Sequence, residues 1–522
     1  MPPSRRTVVF RPSAVRRRLS TVSRPSPSFD RQPSVAVFRP SAVFRSAAGR
    51  PRRPAVGRVK WSSRVLPSVY RRLRRASVFA AVAALAAFAP ALGTAAAVPF
   101  LAAAGTFLLG IRDGEWFETL ALPGDREEER LYGVGAFSLS LAGLALVATF
   151  PPVPLPAGAF AAAALAVGGG RLGRELVGTR SDDEFRLVAG YLLAGGVAAA
   201  VGQVVSGAAA SLVGGGGGDA LAGAFPAFAF LGSVAVLTAA LVRSLVYARD
   251  AHITVVVVAL VAWGFTALDP TVTPVGVVAA LAVTAALGYA SYALGAASVP
   301  GMLTGVLLSL LTVVLGGVAW FLTLMAFYAV GGLASKYRFD EKADRGVAQE
   351  NQGARGTGNV LANSAVALAA LLGYAAAPHV GVPEWIFRLA FAGAVATAMA
   401  DTLSSEIGGL FDAPRLITTL RPAEPGTDGA VTWQGELAGL AGAALIASLA
   451  AVPLPVVDPV VGGGALRAGG IVVLAGVFGM TVDSLLGALV EGDRVGNQAV
   501  NFLATLSGAA LAVGVGAGVA VG

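Results

Sequence analysis

Apolar runs of about 18 residues or more recur along this chain, and each is long enough to cross a bilayer as a helix. They fall near 77–93, 94–111, 133–150, 154–169, 186–207, 224–247 and 251–268, and again near 272–294, 301–316, 318–335, 358–377, 385–404, 434–453, 468–489 and 500–519. Glycine and proline punctuate most of the joins. A bilayer core offers no water to unpaired backbone groups, so helices are the default way across. The two-residue alternation of a membrane barrel is absent. The fold class that follows is all-α, a polytopic transmembrane helix bundle of about 13–15 spans. Composition agrees: 55% of residues are hydrophobic and only 13% charged, against about 25% charged in a soluble domain.

The chain has no cysteine. That excludes disulfides, thiolate catalysis and Cys-ligated metal centres. Two histidines, His252 and His379, do not make a His-based metal site. The net charge of +9 hides two opposite regions. Residues 1–75 carry nineteen Arg, Lys60 and one acid, Asp30, which leaves −10 on the other 447 residues. This basic segment is rich in Pro and Ser and repeats FRPSAV at 10–15 and 38–43. Such a composition buries no core, so 1–75 is expected to be disordered and dispensable. It reads as a tail on an anionic leaflet, a targeting peptide or the product of an upstream start codon. No nucleic-acid partner is expected. Arg outnumbers Lys 36 to 3, a bias that suggests a halophilic archaeon and makes each retained lysine informative.

The remainder divides into a transmembrane region over 76–268 and a C-terminal module over 269–522. In the first, the polar stretches 112–130 and 171–186 read as solvated loops. In the second, three connections are polar: 336–357, 405–433 and 490–499. Two spans separate each from the next, so all three emerge on one side of the membrane. The alternate connections, 378–384 and 454–467, are nearly uncharged. By the positive-inside rule the shared side is cytoplasmic.

The first polar connection starts with Lys336 and Lys342 and closes with Arg355, Gly356 and Gly358 ahead of the next helix. Backbone amides freed by glycines at a helix start favour phosphate, and Asn359 and Asn363 follow as polar support. The alternative is an ordinary positive-inside loop with a glycine cap. The second follows ADTLSSEIG, in which Asp401 and Ser405, and likewise Thr402 and Glu406, are one helical turn apart. An acid at that depth is a functional candidate, or else a polar helix end at the interface. Arg415 and Thr418 beyond it offer phosphate contacts. The third repeats the theme, with Asp483 interrupting an apolar helix, and Asn497 and Asn501 one turn apart on the next. Two carboxylates on neighbouring helices, Asp401 and Asp483, suit Mg²⁺ carrying a phosphate, because Mg²⁺ takes one or two protein carboxylates and fills its shell with water and phosphate oxygens.

In this order, KYRFDEK, ARGTGNVLAN, ADTLSSEIG, PRLITT, PGTDGAVTWQG and DSLLGA closely resemble the transmembrane protein 19 family, over roughly 270–520. Ser364 stands where that family often has glycine, and the first half has no counterpart in it. The family includes the phytyl-phosphate kinase of plant chloroplasts. The resemblance therefore implies transfer of a phosphoryl group from a nucleotide triphosphate, CTP or ATP, to an isoprenoid monophosphate. In that role Asp401 and Asp483 hold Mg²⁺, Glu406 orients the acceptor, and Lys336, Lys342, Arg355 and Arg415 grip phosphates. The expected partner is a membrane lipid or isoprenoid phosphate, and the expected location is the plasma membrane. An ion-coupled transporter and a non-catalytic membrane scaffold are the competing classes.

Overall fold

The structure is a computed structural model that describes residues 65–150, 153–214, 223–246, 250–295, 297–348, 356–452, 456–457, 464–491 and 495–521. The extension up to residue 64 and the predicted phosphate ligand Arg355 lie outside the described residues. All described elements belong to the compact unit that spans Trp61–Gly522.

The first half contributes α1 (Val65–Ala84), α2 (Val98–Gly105), α3 (Tyr132–Val147), α4 (Ala157–Val177), α5 (Glu184–Gly214), α6 (Phe225–Leu245) and α7 (Ala251–Leu268). The second half contributes α8 (Pro274–Ala293), α9 (Val299–Leu311), α10 (Val318–Lys336), the short α11 (Phe339–Asp344), α12 (Thr357–Val380), α13 (Glu384–Gly408), α14 (Trp433–Ala451), α15 (Gly464–Val490) and α16 (Asn497–Val521). Among the described residues, 12 helices are long and apolar enough to cross a membrane. Three segments read from the sequence as spans are not among these. Val98–Gly110 and Tyr132–Val147 are too short, and α4 is interrupted by Arg171, Arg174 and Glu175.

Lipid-facing and buried helices separate clearly. Only 22% of the α8 span is buried, and Val275, Val278 and Tyr289 are exposed on it. The α13 span is 67% buried, the highest share of any. It lies at the centre of the second half, packed against α10, α12, α14, α15 and α16. The local sequence, AFAGAVATAMA, explains why: small side chains let several helices approach one axis closely. Thr397 shows how tight this is. Its hydroxyl donates to the carbonyls of Gly393 (2.9 Å) and Ala475 (3.2 Å), and a Cβ on Gly508 of α16 would collide with it.

Four local readings change. The boundary drawn at 75 falls inside α1, where Arg74 pairs with Glu115 at 3.1 Å and Arg72 lies 3.9 Å from Glu175. The arginines there belong to an amphipathic helix held by acids from distant segments. The stretch 171–186, read as a loop, stays helical to Val177 and is helical again from Glu184. The loop 112–130 contains two short helices, Gly114–Leu120 and Pro123–Glu127, organised by buried Asp125. Its carboxylate accepts from the amides of Leu122 (2.9 Å) and Gly133 (3.1 Å). Finally, β1 (Arg415–Leu416) and β2 (Ala430–Val431) form a small antiparallel hairpin, pairing Arg415 with Val431 and Leu416 with Ala430.

Candidate functional site

The three polar connections of the second half meet at one end of the bundle. They enclose a cleft of about 1100 Å³. Gly346–Ala348 and Gly356 come from the first connection, Phe411, Pro414 and the 425–432 turn from the second, and Glu491 and Gly496 from the third. The floor is the C-terminal part of α13 (Asp401, Ser404, Ser405, Gly408) and of α15 (Asp483, Ser484, Gly487). The PGTDG turn closes over this floor. Gly429 has φ +71°, and a Cβ there would collide with the backbone of Ser484 and the side chain of Ala488 on α15. A left-handed backbone pressed onto a helix suits only glycine.

The carboxyl groups of Asp401 and Asp483 lie close enough to interact directly. Each lies about two turns, roughly 10 Å, before the end of its helix. With its amide turned to suit the surrounding donors and acceptors, Asn501 donates to Asp483 Oδ1 at 3.2 Å and to the carbonyl of Asn497 at 3.2 Å. Two carboxylates in direct contact need a proton or a cation between them. Oxygen donors of this kind suit Mg²⁺. Among the described residues no group of three or more His, Asp or Glu converges, so a cation held by this pair would complete its shell with water and phosphate oxygens.

Two further acids, Asp428 and Glu491, line the cleft. Glu491 lies beside Asn497 and Asp428. Partial burial, and then the Asp428 charge, push the Glu491 carboxyl above its ordinary range, while the Asn497 hydrogen bond opposes the shift. Glu436 of α14 lies near Ser404 but outside the cleft lining, and its buried Oε1 has no hydrogen-bond partner among the described residues. Among the described residues no Lys or Arg lines the cleft. Favourable potential for anions comes from three helix N-termini that open into it: α12 at Gly356–Asn359, α14 at Thr432, and α16 at Asn497–Ala499. Among the described residues no side chain caps α12, so amides of its first turn are candidates to receive a ligand.

The sequence candidates separate into two groups. Asp401, Asp483, Ser405, Gly356, Gly358, Asn359 and Asn497 line the cleft, with Asn501 behind Asp483. Lys342 and Glu406 do not. They form a buried ion pair at 2.5 Å, with side chains 1% and 3% exposed. Lys342 also donates to the carbonyl of Ala334 (2.7 Å), and Ser335 donates to the other Glu406 oxygen (2.7 Å). Asp401 and Ser405 thus form one stripe of α13 facing the cleft, whereas Thr402 and Glu406, rotated by one residue, face the interior. Lys336 is exposed at the end of α10. Arg415 donates to the carbonyl of Leu420 at 2.8 Å outside the cleft, Thr418 is exposed, and Asn363 donates to the carbonyl of Asn359 at 3.0 Å. Asp428, Glu491 and Gln498 line the cleft but were not singled out beforehand. Each stands just beyond an apolar run or inside a turn, where a solvated polar residue is equally ordinary.

Fold and site together define a polytopic helical membrane protein with a polar cleft at one end of its C-terminal bundle. The chain belongs to the family described as integral membrane protein DUF92, whose model matches residues 282–509. It is 31% identical over 216 residues to an uncharacterized membrane protein of Synechocystis sp., covering 39% of this chain and 78% of that one. It is 32% identical over 203 residues to an uncharacterized membrane protein of Methanocaldococcus jannaschii, covering 38% and 76%. It is 34% identical over 155 residues to Protein VTE6, chloroplastic, of Arabidopsis thaliana, covering 29% and 46%. Relatives this widely spread give the archaeal reading of the arginine bias no support. No solved structure matches the chain. Five of the six motif segments that carried the family resemblance contribute residues to the cleft. The sixth, KYRFDEK, is tied to α13 through Lys342.

Proposed function

We propose that the cleft transfers a phosphoryl group from a nucleotide triphosphate to an isoprenoid monophosphate of the phytyl or geranylgeranyl type. The observation that supports this most is the meeting of three helix N-termini and the Asp401–Asp483 pair around one 1100 Å³ cleft. Such a site favours phosphate oxygens and a hard cation at once. The resemblance to a family that includes a phytyl-phosphate kinase supplies the acceptor class.

In this reading Asp401 and Asp483 hold Mg²⁺, and Asn501 fixes the orientation of Asp483. Mg²⁺ bound there would align and neutralise the phosphates of the donor. The first turn of α12, with Gly356, Gly358 and Asn359, receives phosphate oxygens. Lys342 and Glu406 position α11 against α13 and touch neither substrate. The acceptor phosphate is already ionised, so no strong general base is required. A carboxylate pair about 10 Å below the helix ends lets the acceptor keep its chain among the helices while its phosphate reaches the donor. A transporter would place its polar site nearer the midplane. The polar connections are proposed to face the cytoplasm of the plasma membrane. Purified chain in detergent, given Mg²⁺, labelled CTP or ATP and phytyl or geranylgeranyl phosphate, is expected to yield a labelled prenyl diphosphate. Uptake of a labelled ion or solute by proteoliposomes without any such product would favour the transporter.

A further inference from the structure

A second, smaller pocket of about 180 Å³ lies in the other half of the bundle, between α4, α5, α6 and the start of α9. Its membrane side follows from the chain path. From the start of α9 the chain crosses once through Val299–Gly316 and returns through α10, which leads into the first connection, whose Gly346–Ala348 line the cleft. The pocket therefore opens on the same side as the cleft.

Its polar lining comprises Arg174, Glu184, Tyr191, Arg243 and Ser244. Three of these five groups are already engaged. Arg174 meets Glu184 through two parallel hydrogen bonds of 3.1 and 3.0 Å, and the Ser244 hydroxyl donates to the carbonyl of Leu241 at 2.6 Å. Tyr191 is different. It is 2% exposed, and its buried hydroxyl has no hydrogen-bond partner among the described residues. The Arg243 guanidinium lies over the Tyr191 ring, 5.9 Å from its centroid, and makes no ion pair among the described residues. A buried phenol with no acceptor is costly, and the half-buried Arg243 guanidinium beside it has no described carboxylate of its own. Both groups are donors, so one acceptor-rich anion answers both. Arg171 and Arg174 are balanced in formal charge by Glu175 and Glu184, so the charge of Arg243 itself leaves these surroundings net positive.

We propose that this pocket binds the phosphate head group of an anionic amphiphile, hydrogen-bonded by the Tyr191 hydroxyl and paired with Arg243. A phosphate brings several acceptor oxygens to the planar guanidinium and leaves the Arg174–Glu184 pair intact. Val188, Val299 and Leu303 provide an apolar wall for the attached chain. The site is independent of the reaction assigned to the cleft and stands whether or not that reaction occurs.

The test is thermal unfolding of the full chain in a neutral detergent, with EDTA present to keep cations out of the cleft. The probes are short-chain phosphatidic acid, short-chain phosphatidylcholine and inorganic phosphate. A ligand of the native state raises Tm by mass action. Phosphatidic acid is expected to raise Tm and phosphatidylcholine to leave it unchanged. A rise with inorganic phosphate as well shows that the head group suffices; a rise with phosphatidic acid alone shows that the chain is needed. Tyr191→Phe removes the unpartnered hydroxyl, so without ligand its Tm is expected to equal or exceed that of wild type. Its apparent affinity for phosphatidic acid is expected to fall about tenfold, as for a lost hydrogen bond to a charged group. Arg243→Gln is expected to lose at least as much. No Tm rise with phosphatidic acid in wild type, or equal rises in wild type and Tyr191→Phe, overturns the proposal.

Discussion

Asp401 and Asp483 are two acids at one depth on neighbouring helices, and the residues around them make separable predictions. Glu491 gains affinity for its proton on folding, because its pKa is raised. It therefore disfavours the folded state once pH rises through the ordinary carboxylate range, and the cost is fully present above its folded pKa. Glu491→Gln is expected to raise Tm at about pH 8 and to leave it unchanged well below the normal glutamate pKa of about 4.3. A higher Tm for the variant at both pH values would mean that packing, not charge, sets the effect. Gly429→Ala forces a side chain onto a φ of +71° and into α15. It is expected to destabilise by more than about 1 kcal/mol, read by denaturation, and to open the turn over the floor. Lys336 is exposed and outside the cleft, so Lys336→Arg is expected to keep full turnover and topology.

At the scale of elements, the Lys342–Glu406 pair fastens α11 to α13, with Ser335 of α10 as the third member. Breaking one side of a buried ion pair leaves the other charge uncompensated, which costs about 3–5 kcal/mol, whereas replacing both with apolar groups of similar volume is often neutral. Glu406→Gln alone is accordingly expected to lower stability steeply, and Lys342→Met with Glu406→Leu to recover most of it. Equal losses in the single and double variants would assign Glu406 a role beyond pairing. The sequence alone marked both residues as chemically important but could not tell which face of α13 points at the cleft. Asp401 and Glu406 differ by five residues, and either stripe fits the apolar pattern of a helix that is buried all round. Helix positions were legible because apolar length alone decides them; α7, read as 251–268, is Ala251–Leu268. The β1–β2 hairpin was not legible, since two-residue strands leave no period to read. The helical arginines of 71–75 were hidden by their likeness to the basic extension before them.

For the molecule as a whole, the bundle brings three connections, far apart in sequence, to one end, and two pockets of different character to one membrane side. The larger has acids and helix N-termini but no described basic residue, so a polyphosphate would enter it together with a cation. That dependence is the centre of the account. It is tested most directly by phosphoryl transfer from labelled CTP or ATP to phytyl or geranylgeranyl phosphate, comparing wild type with Asp401→Asn and recording Tm for each. Replacing one of two touching carboxylates relieves their repulsion, so Tm of Asp401→Asn should match or exceed that of wild type. Turnover should fall at least ~10²-fold, as when a transition-state charge contact is lost. Mg²⁺-dependent diphosphate from wild type and almost none from a folded Asp401→Asn is the predicted result. Equal turnover by the two proteins, or no diphosphate from wild type with either nucleotide, would contradict it.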